Sequence, residues 1–330
     1  RRCDQSGDAM SEINEQMMSS TRNFPSADTL LSIFGSRLQR DVRMSHFSSA
    51  KVGGPVDFLA ICENAAELEQ DIATLWRMDI PFTLLGGASN VLVSEKGMRG
   101  LVLINHARRI QVDNQSPTPI IHAESGALMS LIANRAGKAG LTGLEWANGL
   151  PGTLGGAIYG NAGAFGSEIR ENLIVANILH WSQGSTRWSV GDFEYQYRSS
   201  NLKRQHCSQK VVILSADLKV EHGDPATILE KMTTLKNRRE TKQPPGACTG
   251  SMFKNPAGRF AGKLIEEAGL KGTKIGDVEI SQKHGNFFIN NGNGTADDFM
   301  KLINLTRESI ASKFGVEMEL EVELLGDWDG

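Results

Sequence analysis

A short segment from Gly250 to Pro256 carries the residue types best suited to chemistry in this chain. It places a hydroxyl (Ser251), a cation (Lys254) and an amide (Asn255) within one turn-like stretch. The glycine and the proline that bracket it restrict the backbone, so these side chains could face one ligand that contains anionic oxygens and a proton-accepting carbon. A capped surface loop uses the same residue types, and the segment alone does not separate the two interpretations.

A first stretch of small residues, Gly86 to Asn90, has the composition of a phosphate-binding loop. It connects predicted strands over 81–85 and 91–93, and a further strand is expected over 101–104. Backbone N–H groups of such a loop can converge on an anion because no large side chain blocks the approach. A hairpin turn favours the same residues. The loop is not a dinucleotide-binding GxGxxG motif, because a strand follows it instead of a helix.

A second stretch, from Gly149 to Gly166, holds seven glycines within a short span. It also contains apolar residues that favour burial, namely Leu154, Ile158, Tyr159 and Phe165. A flexible linker would be polar. We therefore expect this backbone to pack closely, either against a large planar or phosphorylated cofactor or within the protein core.

Two further segments carry charges that could act on a small anionic substrate. The guanidinium of Arg198, which follows an aromatic run, can hold a carboxylate in two-point geometry, although a surface arginine at a strand end is the commoner case. Residues 318–326 alternate strictly between polar and apolar types. This alternation predicts a strand with Glu319, Glu321 and Glu323 on one face, normally the solvent face.

The composition is that of an ordinary soluble protein with two or three cores, since the chain has 330 residues of which 40% are hydrophobic and 22% charged. A net charge of -3 predicts no attraction to nucleic acid. No segment approaches the roughly 18 consecutive apolar residues of a membrane span. The four cysteines are scattered and form no CxxC pair, which predicts reduced thiols, no metal site and a cytoplasmic location.

The alternation of helical and extended segments predicts three folded blocks after a mobile tail over residues 1–25. The blocks span 26–109, 110–222 and 223–330. Apolar residues recur at helical spacing over 64–78, and two further segments, 260–268 and 296–314, have helical spacing. A helix-like stretch rich in lysine and arginine spans 226–242; such a run is usually a solvated face, although Arg238, Arg239 and Lys242 at its end could line a phosphate site. A strand is predicted over 286–290.

Together these segments resemble the UDP-N-acetylenolpyruvoylglucosamine reductase family from about Met44 to Gly326. The matching motifs stand in family order, and they are Lys51 to Pro55, Leu85 to Asn90, Gly149 to Gly166, Tyr197 to Ser200, Gly250 to Pro256, Ala261 to Glu266, and Glu321-Val322. No tyrosine lies between Arg198 and Ser251, where longer-loop members place a substrate-capping tyrosine. The resemblance therefore predicts the shorter, type II form.

The resemblance implies an α+β protein with an FAD-binding fold of the vanillyl-alcohol-oxidase type in two subdomains. A third α+β domain would bind substrate. The implied reaction is NADPH-driven reduction of the small molecule UDP-N-acetylglucosamine enolpyruvate to UDP-N-acetylmuramate, through FAD, in peptidoglycan precursor synthesis. No protein partner is predicted.

The resemblance also assigns roles to individual residues. Ser251 would be the proton donor, Arg198 would stabilise the enolate, and Glu321 would orient or polarise the substrate. The UDP-sugar would contact Tyr197, Lys242 and Asn255. The expected FAD contacts are Gly53, Gly86, Gly87, Ala88, Ser89, Asn90, Thr153, Gly155, Gly156, Asn161 and Gly163.

Two alternatives stand beside this assignment. Another oxidoreductase of the same flavin fold, such as an oxidase of hydroxy acids, would react with oxygen through a base near the flavin. A non-catalytic binding protein would keep the nucleotide site and lack turnover. The family pattern is also incomplete here, because Ala88 stands where a third glycine is common and Phe165 where tyrosine is common.

Overall fold

The computed structural model describes residues 24–205 and 210–328 of the chain. The predicted tail over 1–25 lies outside the described residues, apart from its last two positions. Within the described ranges, no helix combines the length and the apolar character needed to cross a membrane.

The first group of elements builds a four-stranded sheet. Its members are α1 (Ala27–Phe34), β1 (Gln39–Arg43), β2 (Pro55–Cys62), α2 (Ala65–Arg77), β3 (Phe82–Leu85), β4 (Val91–Val93) and β5 (Met98–Asn105). The sheet has the order β1-β2-β5-β3, with β1 antiparallel to β2 and with β2 and β3 parallel to β5. The strands predicted over 81–85, 91–93 and 101–104 are confirmed. The last begins earlier than predicted because β2 already pairs with Met98.

Helix α2 forms where apolar spacing predicted a helix over 64–78. The side chain of Asn64 accepts a hydrogen bond from the Glu67 N–H and satisfies one of the unpaired donors at the helix start. Leu68, Ile72 and Leu75 are fully buried on one face. Burial of this stripe, more than intrinsic propensity, stabilises a helix of this length.

The second group of elements builds a five-stranded antiparallel sheet in the order β12-β11-β13-β7-β6. Its members are β6 (Ile110–Asp113), β7 (Ile120–Glu124), α3 (Met129–Lys138), β8 (Leu141–Thr142), α4 (Leu154–Gly160), β9 (Gly163–Ala164), β10 (Ser167–Glu168), β11 (Leu173–His180), β12 (Gly184–Ser189), α5 (Asn201–Arg204) and β13 (Val211–Lys219). Apolar residues of the sheet and of α3 and α4 share one core. The glycine-rich stretch over 149–166 is therefore folded around α4 and is not a linker.

The third group contains the longest helices and a three-stranded antiparallel sheet, β15-β16-β17. Its members are β14 (Glu221–His222), α6 (Pro225–Lys242), α7 (Ala261–Glu267), β15 (Lys274–Ile275), β16 (Val278–Ile280), β17 (Phe288–Asn290), α8 (Ala296–Phe314) and β18 (Glu323–Leu325). The helices predicted over 226–242, 260–268 and 296–314 are confirmed. The strand predicted over 286–290 is present only from Phe288 onward.

The C-terminal segment does not form the long strand that its alternation predicted. It contacts Phe253 at Leu320 and then pairs in parallel with β4 over 323–325. Because the segment changes its pairing partner between Leu320 and Glu323, it forms no continuous ladder of backbone hydrogen bonds with one strand. The prediction of one strand with a common solvent face is therefore wrong. The side chains of Glu319, Glu321 and Glu323 are 72%, 19% and 33% exposed.

The loop from Gly86 to Asn90 is not a hairpin turn. The strand before it, β3, belongs to the four-stranded sheet, whereas the strand after it, β4, pairs with β18. The loop thus crosses between two sheets.

The cores extend across the predicted block boundaries. Ala50, Val52 and Leu92 of the first group are buried in the same cluster as Met252 and Phe253 of the third. The division at 109/110 and 222/223 therefore stays a prediction.

Candidate active site

Arg198 and Glu321 lie side by side in a half-buried position. Arg198 Nε is 2.9 Å from Glu321 Oε1, and the two side chains are only 22% and 19% exposed. Among the described residues, Arg198 Nε has no hydrogen-bond partner of suitable geometry, so the contact with Glu321 is an ion pair without an aligned hydrogen bond. Solvent and salt screen such a pair less than a surface pair.

The backbone around α4 and β9 orients Arg198. Its Nη2 donates a hydrogen bond of 2.9 Å to the Gly163 carbonyl, and its Nη1 lies 3.5 Å from the Asn161 carbonyl. Arg198 has a φ of +53°, a left-handed conformation that is uncommon for a residue with a side chain. The guanidinium carbon lies 5.2 Å from the ring centroid of Tyr197. The chain thus holds the guanidinium between a pair of carbonyls and Glu321.

Backbone hydrogen bonds place Glu321 next to the segment that carries Ser251. The Glu321 N–H donates to the Met252 carbonyl at 2.9 Å. The side-chain amide of Asn90 donates to the Glu321 carbonyl, also at 2.9 Å. The predicted acid, the predicted carboxylate and the glycine-rich loop that ends at Asn90 therefore meet in one place.

A buried amide holds the Ser251 segment. Asn286, 3% exposed, accepts a hydrogen bond from the Phe253 N–H at 2.9 Å and donates to the Phe253 carbonyl at 2.8 Å. Ser251 itself forms an isolated bridge with Phe287. The half-buried hydroxyl is thus carried by a backbone that is fixed on two sides.

The three glutamates of the C-terminal segment each pair with a cation from another part of the chain. The pairs are Glu319–Lys254, Glu321–Arg198 and Glu323–Lys203. Burial raises the pKa of the Glu321 carboxyl above its ordinary value, and the positive charges of Arg198, Lys203 and Lys254 only partly offset this effect. A carboxyl in such an environment can change its charge at a pH closer to neutrality.

The two glycine-rich stretches pack against each other. A β-carbon on Gly86 would lie 2.3 Å from Thr153 Oγ1, and one on Gly152 would lie 2.8 Å from Ser89 Oγ. Only residues without side chains allow this approach. The two stretches therefore pack side by side with little side-chain bulk between them, as a cofactor cradle requires.

Arg239, at the end of α6, presents unpaired donors near the second stretch. Its Nε and Nη2 are buried and have no hydrogen-bond partner in the described part of the chain. Its side chain lies 3.6 Å from where a β-carbon on Gly149 would be, and its guanidinium carbon lies 5.1 Å from the Phe165 ring centroid. Burial lowers the pKa of this guanidinium. A buried cation without a counter-charge is unfavourable, so these residues fit a ligand with anionic or carbonyl oxygens, such as a flavin nucleotide.

Several predicted cofactor residues serve the fold as well. Thr153 Oγ1 accepts a hydrogen bond from the Gly156 N–H at 3.4 Å and thereby caps α4, and the Gly155 N–H donates to the Ser125 carbonyl at 2.7 Å. Asn161 is fully buried, and its Nδ2 donates to Glu168 and to the Gln196 carbonyl. Only its Oδ1 lacks a partner. A cofactor contact by the Asn161 side chain stays a prediction that depends on this atom.

The remaining predicted cofactor residues lie at the edges of the cradle. Gly53 has a φ of +123° and its N–H lies 3.4 Å from Glu95 Oε1. Ala88 has a φ of +44° and its carbonyl accepts a hydrogen bond from the Ser49 N–H at 3.2 Å. The left-handed conformation of Ala88 explains why glycine suits this position. A β-carbon on Gly87 would lie 3.7 Å from Gly152 Cα.

The three predicted substrate-binding residues are spread over a wider area. Tyr197 is 47% exposed beside Arg198, whereas Lys242 is exposed at the end of α6. Asn255 Oδ1 accepts a hydrogen bond from the Ala261 N–H at 3.0 Å, which leaves its NH₂ group for a ligand. Within the described residues, the structure gives Lys242 no hydrogen bond or ion pair to Ser251.

Sequence reasoning left two residues of this site, Lys203 and Asn286, without a role, because both stand in unremarkable polar contexts. It offered Arg239 as one of the basic residues that could line a phosphate site, within a run that usually marks a solvated helix face. For Lys203 no local signal was available, because a separation of five residues from Arg198 does not place two side chains on one helix face. For Asn286 only the tertiary contacts reveal the role.

The fold and this site together define an FAD-binding oxidoreductase. A family model described as "FAD binding domain" matches residues 56–188, and one described as "UDP-N-acetylenolpyruvoylglucosamine reductase, C-terminal domain" matches residues 241–325. The chain belongs to the UDP-N-acetylenolpyruvoylglucosamine reductase family.

Individual relatives are similar in sequence to this chain over most of its length. The reductase of Chloroflexus aurantiacus is 39% identical over 87% of this chain and 97% of its own. The reductase of Caldanaerobacter subterraneus subsp. tengcongensis is 43% identical over 86% of this chain and 92% of its own. The crystal structure of the Thermus caldophilus reductase is 30% identical, covers 87% of this chain and 98% of its own, and superposes with a TM-score of 0.74. The predicted family and fold class are confirmed, and the type II assignment stays a prediction.

Proposed function

We propose that this protein catalyses the NADPH-driven reduction of UDP-N-acetylglucosamine enolpyruvate to UDP-N-acetylmuramate. The observation that supports the proposal most directly is the half-buried ion pair of Arg198 and Glu321, joined through the Met252 carbonyl to the segment of Ser251. A cation, a carboxyl and a hydroxyl in one place suit a substrate that carries a carboxylate conjugated to an enol ether.

The cradle formed by the Gly86 loop and the Gly149 to Gly166 stretch would hold FAD, with Arg239 facing one of its anionic or carbonyl oxygens. Bound FAD would supply a hydride that it has received from NADPH. The small residues of the cradle allow close contact with the cofactor, and the packing of Thr153 on Gly86 fixes the two loops relative to each other.

Arg198 would bind the carboxylate of the enolpyruvyl group. Hydride addition to the conjugated double bond leaves an enolate whose negative charge extends onto the carboxylate oxygens. The carbonyls of Gly163 and Asn161 already orient the guanidinium toward that position. Preorganised charge of this kind contributes on the order of 10²–10³ in rate.

Ser251 would donate the proton that completes the reaction. The enolate carbon is basic enough to accept a proton from a weakly acidic hydroxyl, and a general acid in position contributes about 10²–10⁴ in rate. Glu321 would orient Arg198 and polarise the enol together with it.

The nucleotide-sugar part would lie over the more exposed residues. Tyr197, Lys242 and the NH₂ group of Asn255 would contact it, since a lysine and an amide donor suit diphosphate oxygens. We place the activity in the cytoplasm, without a protein partner, in a chain divided into the three predicted blocks.

The proposal is tested by measuring the two half-reactions separately, in the absence of oxygen. NADPH should bleach the flavin absorbance of the FAD-loaded protein, and UDP-N-acetylglucosamine enolpyruvate should then restore it with formation of UDP-N-acetylmuramate. Reduction that only oxygen reverses would refute the proposed substrate and favour an oxidase of the same fold.

A further inference from the structure

We propose that Lys203 is a positioning residue for Glu321. Lys203 holds the C-terminal segment at the site through Glu323, and its positive charge favours the ionised form of the Glu321 carboxyl. This inference rests on the proposed function, because it assigns Lys203 to the same reaction.

Lys203 is held rigidly at the site. Its Nζ lies 2.7 Å from Glu323 Oε1 and 5.8 Å from the ring centroid of Tyr159, and its side chain is only 20% exposed. The hydroxyl of Ser200 accepts a hydrogen bond from the Lys203 N–H at 3.3 Å and donates to the Tyr159 carbonyl at 2.6 Å. Both ends of the lysine are therefore fixed, which a solvated surface lysine does not require.

A single residue connects Glu323 to Glu321. The Asn90 side chain donates to the Glu321 carbonyl at 2.9 Å, and the Asn90 carbonyl accepts from the Glu323 N–H at 3.0 Å. Since Glu323 begins β18 and pairs opposite Val91 of β4, a shift of Glu323 would move the backbone of Glu321. The pair of Lys203 and Glu323 thus locks the position of Glu321 from the side of α5.

The charges around Glu321 explain why Lys203 matters electrostatically. The cations that face Glu321 from neighbouring elements are Arg198, Lys203 and Lys254, while Glu319 and Glu323 flank it in sequence. Lys254 and Lys203 are buried to the same extent, with 19% and 20% of their side chains exposed, and each is paired with a glutamate that flanks Glu321. Once Arg198 binds the substrate carboxylate, both lysines continue to favour the charged form of Glu321. Lys203 differs in that its partner, Glu323, is joined to Glu321 through Asn90.

Substitution of either partner of the Lys203–Glu323 pair separates an electrostatic role from a purely structural one. Lys203→Met removes a positive charge and is expected to raise the pH at which Glu321 titrates. Glu323→Gln removes a negative charge and frees Lys203, so it is expected to lower that pH. If the pair were only a structural bridge, its loss would instead change the titration pH of Glu321 in the same direction in both variants.

The titration can be followed without turnover. Protein labelled with ¹³C at the glutamate carboxyl carbons would be titrated by NMR, with the Glu321 signal identified by its loss in Glu321→Gln. Lys203→Arg should restore the wild-type midpoint, and Lys203→Gln replaces the methionine variant if that variant fails to fold. Opposite shifts in the two variants would establish the role, whereas equal shifts or none would overturn it.

The same variants should then be tested in the substrate half-reaction. Lys203→Met is expected to move the pH profile of flavin reoxidation by UDP-N-acetylglucosamine enolpyruvate in the direction of the NMR shift. If the wild-type protein is not reoxidised by this substrate, the proposed function fails, while the NMR titration still decides the role of Lys203.

Discussion

Gly86 and Thr153 approach each other so closely that a β-carbon on Gly86 would lie 2.3 Å from Thr153 Oγ1. Thr153 is 4% exposed and bridges to Leu128 on its other side, so it has little room to move. This contact joins two glycine-rich loops that are distant in sequence, and it sets the width of the proposed cofactor cradle.

Gly86→Ala is expected to separate the two loops and weaken FAD binding. Overpacking at a rigid contact costs about 1–3 kcal/mol, which corresponds to a roughly 5- to 150-fold loss of affinity if the strain is relieved by opening the cradle. Quenching of flavin fluorescence on titration with FAD measures this loss. Gly191→Ala is the matched control, because Gly191 is exposed outside the cradle and a β-carbon there would be 3.7 Å from Ser189 Oγ, an ordinary contact. Equal affinities in the two variants would contradict the cradle.

Arg239→Met is expected to weaken FAD binding and, in the cofactor-free protein, to leave the free energy of unfolding unchanged or raise it. The reason is that the substitution removes a buried cation whose Nε and Nη2 have no partner until a ligand supplies one. Arg238→Met is the control, since Arg238 is exposed and lies over the same Phe165 ring at 5.5 Å. Urea unfolding with and without FAD measures both effects. Lower stability of the cofactor-free Arg239→Met protein would indicate a structural role instead.

Ser251→Ala is expected to keep flavin reduction by NADPH and to slow product formation by about 10²–10⁴, the contribution of a general acid. Rapid-mixing absorbance of the flavin separates the two steps. Ser312→Ala, an exposed position on α8, should leave both steps unchanged. A normal second step in Ser251→Ala would assign the proton to another group.

Arg198→Ala is expected to abolish the substrate step and also to destabilise the protein, because it leaves the carboxylate of Glu321 half-buried without its closest counter-charge. Adding Glu321→Gln to this variant should recover part of the lost stability without recovering activity. The free energies of unfolding of the two single variants and the double variant, compared in a double-mutant cycle, measure the coupling. Strictly additive effects would mean that the pair does not interact.

Local patterns in the sequence were sufficient for most helices and strands. The helices α2, α7 and α8 follow from helical spacing in the sequence, and α6 from a helix-like run rich in lysine and arginine. The strands around Gly86 follow from runs of β-branched and aliphatic residues between breakers. The ordered motifs also identified the family, because each motif is a short contiguous segment. These features depend on residues close together in the chain, so the sequence by itself determines them.

The C-terminal segment shows where local pattern fails. Its alternation predicted one strand with a solvent-facing row of glutamates, yet Glu321 is largely buried against Arg198. The exposure of each glutamate depends on which cation lies opposite it. These cations, Lys254, Arg198 and Lys203, come from segments far away in sequence.

The sequence by itself thus determined the elements, the family and the residue types of the site. Only the tertiary structure decided that Asn90 joins Glu321 to the glycine-rich loop, that Arg239 faces Gly149 with unpaired donors, and that Lys203 secures Glu323. The physical reason is that helix and strand periodicity records which face of an element is apolar, whereas ion pairs and buried hydrogen bonds depend on which elements are brought together when the core closes.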